Sequence, residues 1–529
     1  MASEEYTEES SNASIALSLS GGGYRAAAFH LGSLAALNRL DMLPSVTLLS
    51  TVSGGTIVGA AWACSLVEDV SFKEFEISFK SFLSEVNIVS EALSELRSSS
   101  QINGFEAMPS LIRSASIVYD GPHLFNGKQF GILEVSPPNR SNPTQLQDIS
   151  FNSTDFRTGN SFRFQQSNSG AVYSGNKYFR IQKAVTPRIR IADIVAASSC
   201  FPGGFEPLRF PADFSWGGSE DLSEIRKMLG DKFKEEIGLM DGGIFDNQGI
   251  DSISLMYERE GYREGNKIDL YILSDTSQRL PLHLNTPVAP NKNGLTLRSV
   301  SVFLWLLMVC AAITFVAVAT DAYQTYQEAS ISIWRGIFLY AIPVILSLGT
   351  ALGLYKLRSI SLRFLREFDA ASGIDVWAGF KNLSTSAVME IVMTRFRSVL
   401  AMTTSVFMKR IRDLGYKRIY GNSKFDSKRI SNMIYDLDNE SQWRDYVRIA
   451  DIIPSQRLRI LAVEAEKNPT TLWFSDRSQM DKIVECGEAT MYFNILRYLL
   501  EHRAQELADS DSNASDLYRR AKEFWSNIQ

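Results

Sequence analysis

No charged residue occurs between Val300 and Thr320, and none between Gly336 and Tyr355. As a helix, each run is long enough to cross the roughly 30 Å hydrocarbon core of a bilayer. A soluble core seldom holds a helix apolar on every side for about six turns. Pro343, Gly349 and Gly353 in the second run are also better tolerated in membrane helices than in soluble ones. The outer flanks are basic, with Lys292 and Arg298 before the first run and Lys356, Arg358, Arg363 and Arg366 after the second. The connector, Asp321–Arg335, is poor in charge. This bias predicts a two-helix transmembrane hairpin at 299–355, with both flanks in the cytoplasm. The protein is then a multi-pass membrane protein with two spans, and both soluble portions and both termini lie on the cytoplasmic face. Arg363 and Arg366 are placed to meet anionic headgroups.

With 529 residues the chain exceeds what one core usually supports, so more than one structural unit is expected. The net charge of -5 and the absence of a Lys/Arg block argue against nucleic acid as a partner. Cys64, Cys200, Cys310 and Cys486 are far apart and in no metal-ligand spacing, as expected of small buried hydrophobes in a reducing compartment. Residues 1–14 are polar and acidic, so they read as a flexible tail rather than a secretory signal.

Chemistry concentrates upstream of the apolar runs. Ile15–Ser20 reads as a short buried strand that enters Gly21-Gly22-Gly23-Tyr24-Arg25 and then a helical pattern over Ala26–Leu40. A strand, a glycine loop and a helix can converge backbone N–H groups on an anion. The loop matches neither the phosphate-loop nor the dinucleotide pattern, so a phosphate cradle, an oxyanion site and a tight turn all remain open. A second strand, Val46–Ser50, leads into Thr51-Val52-Ser53-Gly54-Gly55 and a further helix. That segment has the form of a nucleophile elbow, which exposes a serine hydroxyl on a strained strand-to-helix turn. A structural serine in a glycine-rich turn is the plainer alternative. Further on, Met240-Asp241-Gly242-Gly243 places an aspartate before two small residues that let another segment approach closely.

The four histidines make poor bases. His30 lies on an apolar helix face, His123 in a turn, His283 near the first apolar run and His502 in a charged helix. If Ser53 is a nucleophile, its base is therefore a carboxylate, and Asp241 is the best placed.

Together these blocks resemble the patatin-like phospholipase family. Its oxyanion loop is similar to Gly21-Gly22-Gly23-Tyr24-Arg25, its elbow to Thr51-Val52-Ser53-Gly54-Gly55, and its aspartate motif to Asp241-Gly242-Gly243. A fourth block, Ala197-Ser198-Ser199-Cys200-Phe201-Pro202, resembles the family's Ala-Ser-x-x-x-Pro element. The likeness covers about residues 15–275. It implies an α/β fold with a three-layer α/β/α core, to which the transmembrane hairpin is added. It further implies a Ser–Asp dyad of Ser53 and Asp241 and an oxyanion hole of Gly22, Gly23 and the Gly54 N–H. Gly21 supports the loop, and Arg25 helps to hold it. No metal and no cofactor are expected. Two positions depart from the family pattern: Thr51 replaces the usual leading glycine, and Ala26 follows Arg25 where glycine is common.

The expected organisation is a tail at 1–14, a patatin-like catalytic domain at 15–290, the hairpin at 299–355 and a mainly helical region at 356–529 that packs on the catalytic domain. Tyr119–Phe179 reads as an irregular insertion, Phe205–Glu236 as a candidate lid, and Ser384–Leu414 as one long helix. The implied activity is a membrane-anchored acyl hydrolase of glycerophospholipids or lysophospholipids, with membrane phospholipids as partners. A homodimer through the spans or the C-terminal helices is compatible with the sequence. A neutral-lipid lipase and a catalytically silent membrane module are the rival readings.

Overall fold

The computed structural model describes residues 14–102, 110–134, 146–167, 173–216, 222–258, 268–279, 296–327, 341–372, 382–402, 406–443 and 452–529. They fall into two compact units, one formed by 1–281 with 402–529, the other by Leu282–Ala401.

The first unit is a mixed α/β body around an eight-stranded sheet. Strand β1 (Ile15–Leu19) is followed by helix α1 (Gly23–Arg39), and β2 (Val46–Val52) by helix α2 (Gly54–Val67). Then come β3 (Asp148–Asp155), β4 (Ser161–Ser167), helix α3 (Ile191–Ser198), β5 (Leu208–Phe210) and β6 (Ile237–Asp241). Helix α4 (Ile250–Tyr257) precedes β7 (Leu270–Asp275), and β8 (Arg429–Met433) is the last strand, so the order across the sheet is β5-β6-β3-β2-β1-β7-β8 with β4 paired to β3. Strands β2, β1, β7 and β8 run parallel, each buried on both faces, which is why β1 reads as a continuous apolar run rather than an alternating one. Ile15, Leu17 and Leu19 enter the larger apolar cluster, whereas Ala16 joins a second cluster with Ile250, Ile253 and Ile419. Helices therefore cover both faces of the sheet.

The strand β3 departs from expectation. Asp148–Asp155 lies in the segment read as an irregular insertion, yet it pairs with three strands. The parallel partner β2 covers Asp148 to Asn152, the antiparallel β4 covers Asp148 to Thr154, and the antiparallel β6 covers Ser153 to Asp155. A strand has only two edges, so β2 and β6 share one of them and meet end to end. Val52 pairs with Asn152 and Asp241 with the next residue, Ser153.

The chain beyond residue 402 completes this body. Helix α8 (Phe407–Tyr420), strand β8 (Arg429–Met433), helix α9 (Gln456–Lys467) and helix α10 (Arg477–His502) belong to it. Strand β8 extends the sheet beside β7, from Tyr271 opposite Arg429 to Asp275 opposite Met433. Helix α10 lies against α1 at contact distance. A Cβ on Gly32 would come within 2.8 Å of the Glu488 N atom, and one on Gly487 within 2.8 Å of the Phe29 carbonyl carbon.

The second unit holds helices α5 (Leu297–Gln327), α6 (Ile342–Ser372) and α7 (Thr385–Ala401), numbered in chain order before α8. The segment Leu297–Gln324 is one helix long and apolar enough to cross a membrane. The described apolar part of the second run, Ile342–Lys356, is shorter than the ~20 residues a span requires. Residues 328–340, which include the start of that run and most of the predicted connector, lie outside the described residues. Helices α5 and α6 pack against one another. The hydroxyls of Thr314, Thr320, Ser347 and Thr350 return to carbonyls of their own helices at 2.7–3.1 Å. That is how a helix keeps polar groups satisfied where no water is at hand. The single helix read over Ser384–Leu414 is two helices, α7 and α8, which lie in different units.

Candidate active site

Ser53 sits at φ 51°, ψ -121° between β2 and α2, a backbone conformation that non-glycine residues rarely adopt. The surroundings determine it heavily. The Ser53 N–H donates to Ser198 Oγ at 2.9 Å, and Ser198 Oγ donates to the Asn152 carbonyl at 2.6 Å. Thr56 Oγ1 lies 2.8 Å from Ser198 Oγ and accepts from Thr51 Oγ1 at 2.9 Å. Thr51 therefore fits the elbow in two ways. Its hydroxyl enters this chain, and its methyl faces Gly59 of α2, where a Cβ would come within 2.6 Å of it. The bulk added at Thr51 is offset by a missing side chain one helical layer away.

The glycine loop closes over Ser53. A Cβ on Gly21 would stand 3.1 Å from Ser53 Cβ, and one on Gly54 would stand 2.8 Å from Gly23 N, so loop and elbow backbones touch. Gly22 and Gly23 both have positive φ, 150° and 58°. Gly21 N–H donates to Asn247 O and Tyr24 N–H to Thr471 O, while the first helical bond of α1 is Ala26 N–H to Gly22 O. In α2 the first bonds are those of Thr56 and Ile57 to Ser53 O. The amides of Gly22, Gly23 and Gly54 thus stand ahead of the first intrahelical bonds, where a helix N-terminus offers donors.

Arg25 acts less directly than expected. Its buried guanidinium donates to Thr276 O at 2.9 Å, Glu466 O at 3.1 Å and Asn468 O at 2.6 Å. Thr276 Oγ1 in turn donates to Gly21 O at 3.0 Å. Arg25 clamps the segments that flank the loop rather than the loop itself. Burial, and Arg412 nearby, lower its pKa to about 10, leaving it charged at neutral pH.

Asp241 ends β6, and β3 brings it beside Ser53. Its Oδ1 accepts from Gly243 N–H at 2.7 Å and its carbonyl from Thr154 Oγ1 at 2.8 Å, and the Ser53 side chain is near enough to pull its pKa down. Burial raises its pKa to about 6 against the opposing pull of Ser53, Gly243 and Arg412. A carboxylate of that pKa is a competent base near neutral pH.

Three contributors had no signal strong enough to be found in sequence. Asn152 donates to Ser50 Oγ at 3.0 Å and Thr51 O at 2.9 Å, so it ties β3 to the elbow. Asn247 follows the aspartate motif, and with its amide oxygen turned toward Arg412 it accepts from Nη2 and Nε at 2.5 and 2.8 Å. Arg412 itself comes from α8, on the far side of the apolar runs in sequence. Met408 of the same helix stands where a Gly243 Cβ would approach within 2.6 Å of its Cε. His30 is not part of this chemistry. It is fully buried, lies 3.0 Å from both Ser274 Oγ and Ser20 O, and is kept neutral by burial, which lowers its pKa to about 4.

The geometry accords with the family comparison, in which residues 17–253 match the model for patatin-like phospholipases. That stretch resembles a patatin-like phospholipase domain. Human GIVD cytosolic phospholipase A2 is structurally similar at a TM-score of 0.32 and 14% identity, over 49% of this chain and 45% of that one. The same human enzyme in complex with methyl gamma-linolenyl fluorophosphonate gives a TM-score of 0.31 and 16% identity, over 49% and 39%. The chain thus spans less than half the length of these solved structures, and likeness at this level transfers no residue role. No curated protein sequence matches the chain.

Proposed function

We propose that the protein is a membrane-anchored serine acyl hydrolase that cleaves ester-linked fatty acids from glycerophospholipids or lysophospholipids. The observation that carries this reading is the end-to-end meeting of β2 and β6 on one edge of β3, which delivers Ser53 and Asp241 to the same point. Ser53 Oγ attacks the ester carbonyl carbon while its proton passes to the Asp241 carboxylate. Charge on the carbonyl oxygen is met by the N–H groups of Gly22, Gly23 and Gly54; one such donor is worth roughly 3–4 kcal/mol in comparable sites. The C–O bond then breaks, the lyso-lipid or glycerol alcohol leaves with the proton from Asp241, and an acyl ester remains on Ser53. Water, deprotonated by Asp241, attacks that ester and releases the fatty acid, which restores both residues.

The apolar helix Leu297–Gln324 supports membrane anchoring, with the hairpin returning the chain to the face on which Ser53 and Asp241 fold. Placement on the cytoplasmic side rests on the basic flanks. Lipid analysis of phospholipid bilayers incubated with wild-type and Ser53→Ala protein tests the reading. Free fatty acid and lysophospholipid should appear only with the wild type. Equal release by the variant overturns the role of Ser53, and release from triacylglycerol alone overturns the substrate class.

A further inference from the structure

The side-chain amide of Asn247 is buried, the residue being 2% exposed, and one neighbour sets its orientation. Arg412 presents Nη2 and Nε at 2.5 and 2.8 Å from it. A guanidinium has donors and no acceptor, so the amide oxygen must face Arg412. The N–H₂ end is thereby turned the other way, toward Gly21 and Gly243. A Cβ on Gly21 would stand 2.5 Å from that end of the amide and 3.1 Å from Ser53 Cβ. One on Gly243 would stand 2.4 Å from it and 2.9 Å from Asp241 Oδ1. The donor thus lies between Ser53 and Asp241, separated from each by space that a methyl group would fill and that glycine leaves open. The backbone holds it there too, since Asn247 O accepts from Gly21 N–H at 3.0 Å.

A buried N–H₂ aimed between two reacting groups has a use in the chemistry proposed above. The carbonyl oxygen of the ester has the Gly22, Gly23 and Gly54 amides for its developing charge. The other ester oxygen, which leaves with the lyso-lipid or glycerol, must come within hydrogen-bond reach of Asp241 to receive its proton. Asn247 places a side-chain donor beside that carboxylate. We propose that Asn247 is a further catalytic residue, its N–H₂ donating to the leaving oxygen, and that Arg412 is the positioning residue that keeps the donor end turned inward. As the carbonyl C–O bond breaks, charge gathers on the leaving oxygen and the hydrogen bond strengthens. Asp241 delivers the proton, and the amide keeps both of its own. This rests on Ser53 and Asp241 as the reacting pair.

Two esters with the same acyl chain and different leaving groups test it in the full chain. Palmitoyl lysophosphatidylcholine expels a basic alkoxide, whereas p-nitrophenyl palmitate expels a weakly basic phenolate that leaves without help. Asn247→Asp retains an acceptor for Arg412 and removes the N–H; Asn247→Ala removes it without adding charge. At about pH 8 wild-type Asp241 is ionised. There each variant should lower kcat/KM for the lysophospholipid about a hundredfold, and for the nitrophenyl ester about threefold or less. Retained activity on the nitrophenyl ester also shows that the variants fold. Arg412→Gln can still offer the amide one donor, so it should lower kcat/KM for the lysophospholipid about threefold and for the nitrophenyl ester by less. Equal losses on the two esters would make Asn247 a support of the loop and overturn the donor, as would full lysophospholipid hydrolysis by either Asn247 variant. An equal loss on both esters at Arg412 would remove its positioning role. If the wild type hydrolyses neither ester, or Ser53→Ala hydrolyses both, the dyad reading falls and the donor falls with it.

Discussion

In the first unit polar residues are buried, and in the second apolar residues are exposed. Every residue of β3, Asp-Ile-Ser-Phe-Asn-Ser-Thr-Asp, is buried, with Asn152 tied to the elbow and Thr154 to the carbonyl of Asp241. On α5 and α6 the reverse holds, with Phe303, Ile313, Ile345 and Leu346 facing outward at 59–68% exposure. Hydrophobicity alone predicts neither. A buried polar strand is stable where most of its groups find partners, and an exposed apolar helix is stable where the medium around it is hydrocarbon. One unit buries polar groups around Ser53 and Asp241; the other exposes apolar side chains.

The contrast breaks most visibly at the dyad. Asp241→Asn should lower ester hydrolysis at least about a thousandfold and abolish labelling by a fluorophosphonate. Its effect on stability should run the other way. Burial raises this carboxyl above its unfolded value, so the ionised form opposes folding above pH ~6 and has no effect well below 4. The variant should therefore melt no lower than wild type at pH 8, by calorimetry; a clear drop would mean that the carboxylate is a structural anchor.

Ile313→Arg probes the opposite unit. A charge at mid-span should cost insertion about 3 kcal/mol, seen as a loss of the carbonate-resistant membrane fraction. An exposed residue of a water-facing helix would tolerate the change without effect.

Ser198→Ala tests whether the buried polar chain matters to the elbow. It leaves the Ser53 N–H without its acceptor, at a cost of about 1–3 kcal/mol, and should lower kcat more than it raises KM. Gly59→Ala should destabilise by about 1–2 kcal/mol by crowding the Thr51 methyl, although alanine is otherwise the better helix former. Thr51→Gly in the same chain should recover part of that loss in a double-mutant cycle. The smallest effect is expected at Arg412. The pH–rate profile should rise as Asp241 deprotonates through about pH 6, and Arg412→Gln should move that rise to higher pH, since a nearby cation favours the carboxylate.

Much of the site is legible in sequence because its parts are local. A strand, a glycine run and a helix within a short stretch announce the loop at Gly21–Gly23 and the elbow at Ser53, and the Asp241-Gly242-Gly243 turn is equally compact. The strand β3 escaped because strand signals rest on apolar alternation, and Ser150, Asn152 and Thr154 are polar for reasons that lie elsewhere in the fold. Asn247 and Arg412 escaped because their pairing spans a chain separation that no local pattern records.

By itself, then, the sequence determined the candidate reacting groups, the glycine-rich backbone around them and a helix with the length and polarity of a membrane span, because each depends on neighbouring residues alone. The tertiary structure decided which of them meet. Two strands share one edge of β3, so Asp241 falls beside Ser53. Gly59 makes room for Thr51. A helix from beyond the apolar runs brings Arg412 to Asn247. Register and close packing set those encounters, and two of the three, Ser53 with Asp241 and Asn247 with Arg412, join segments far apart in the chain.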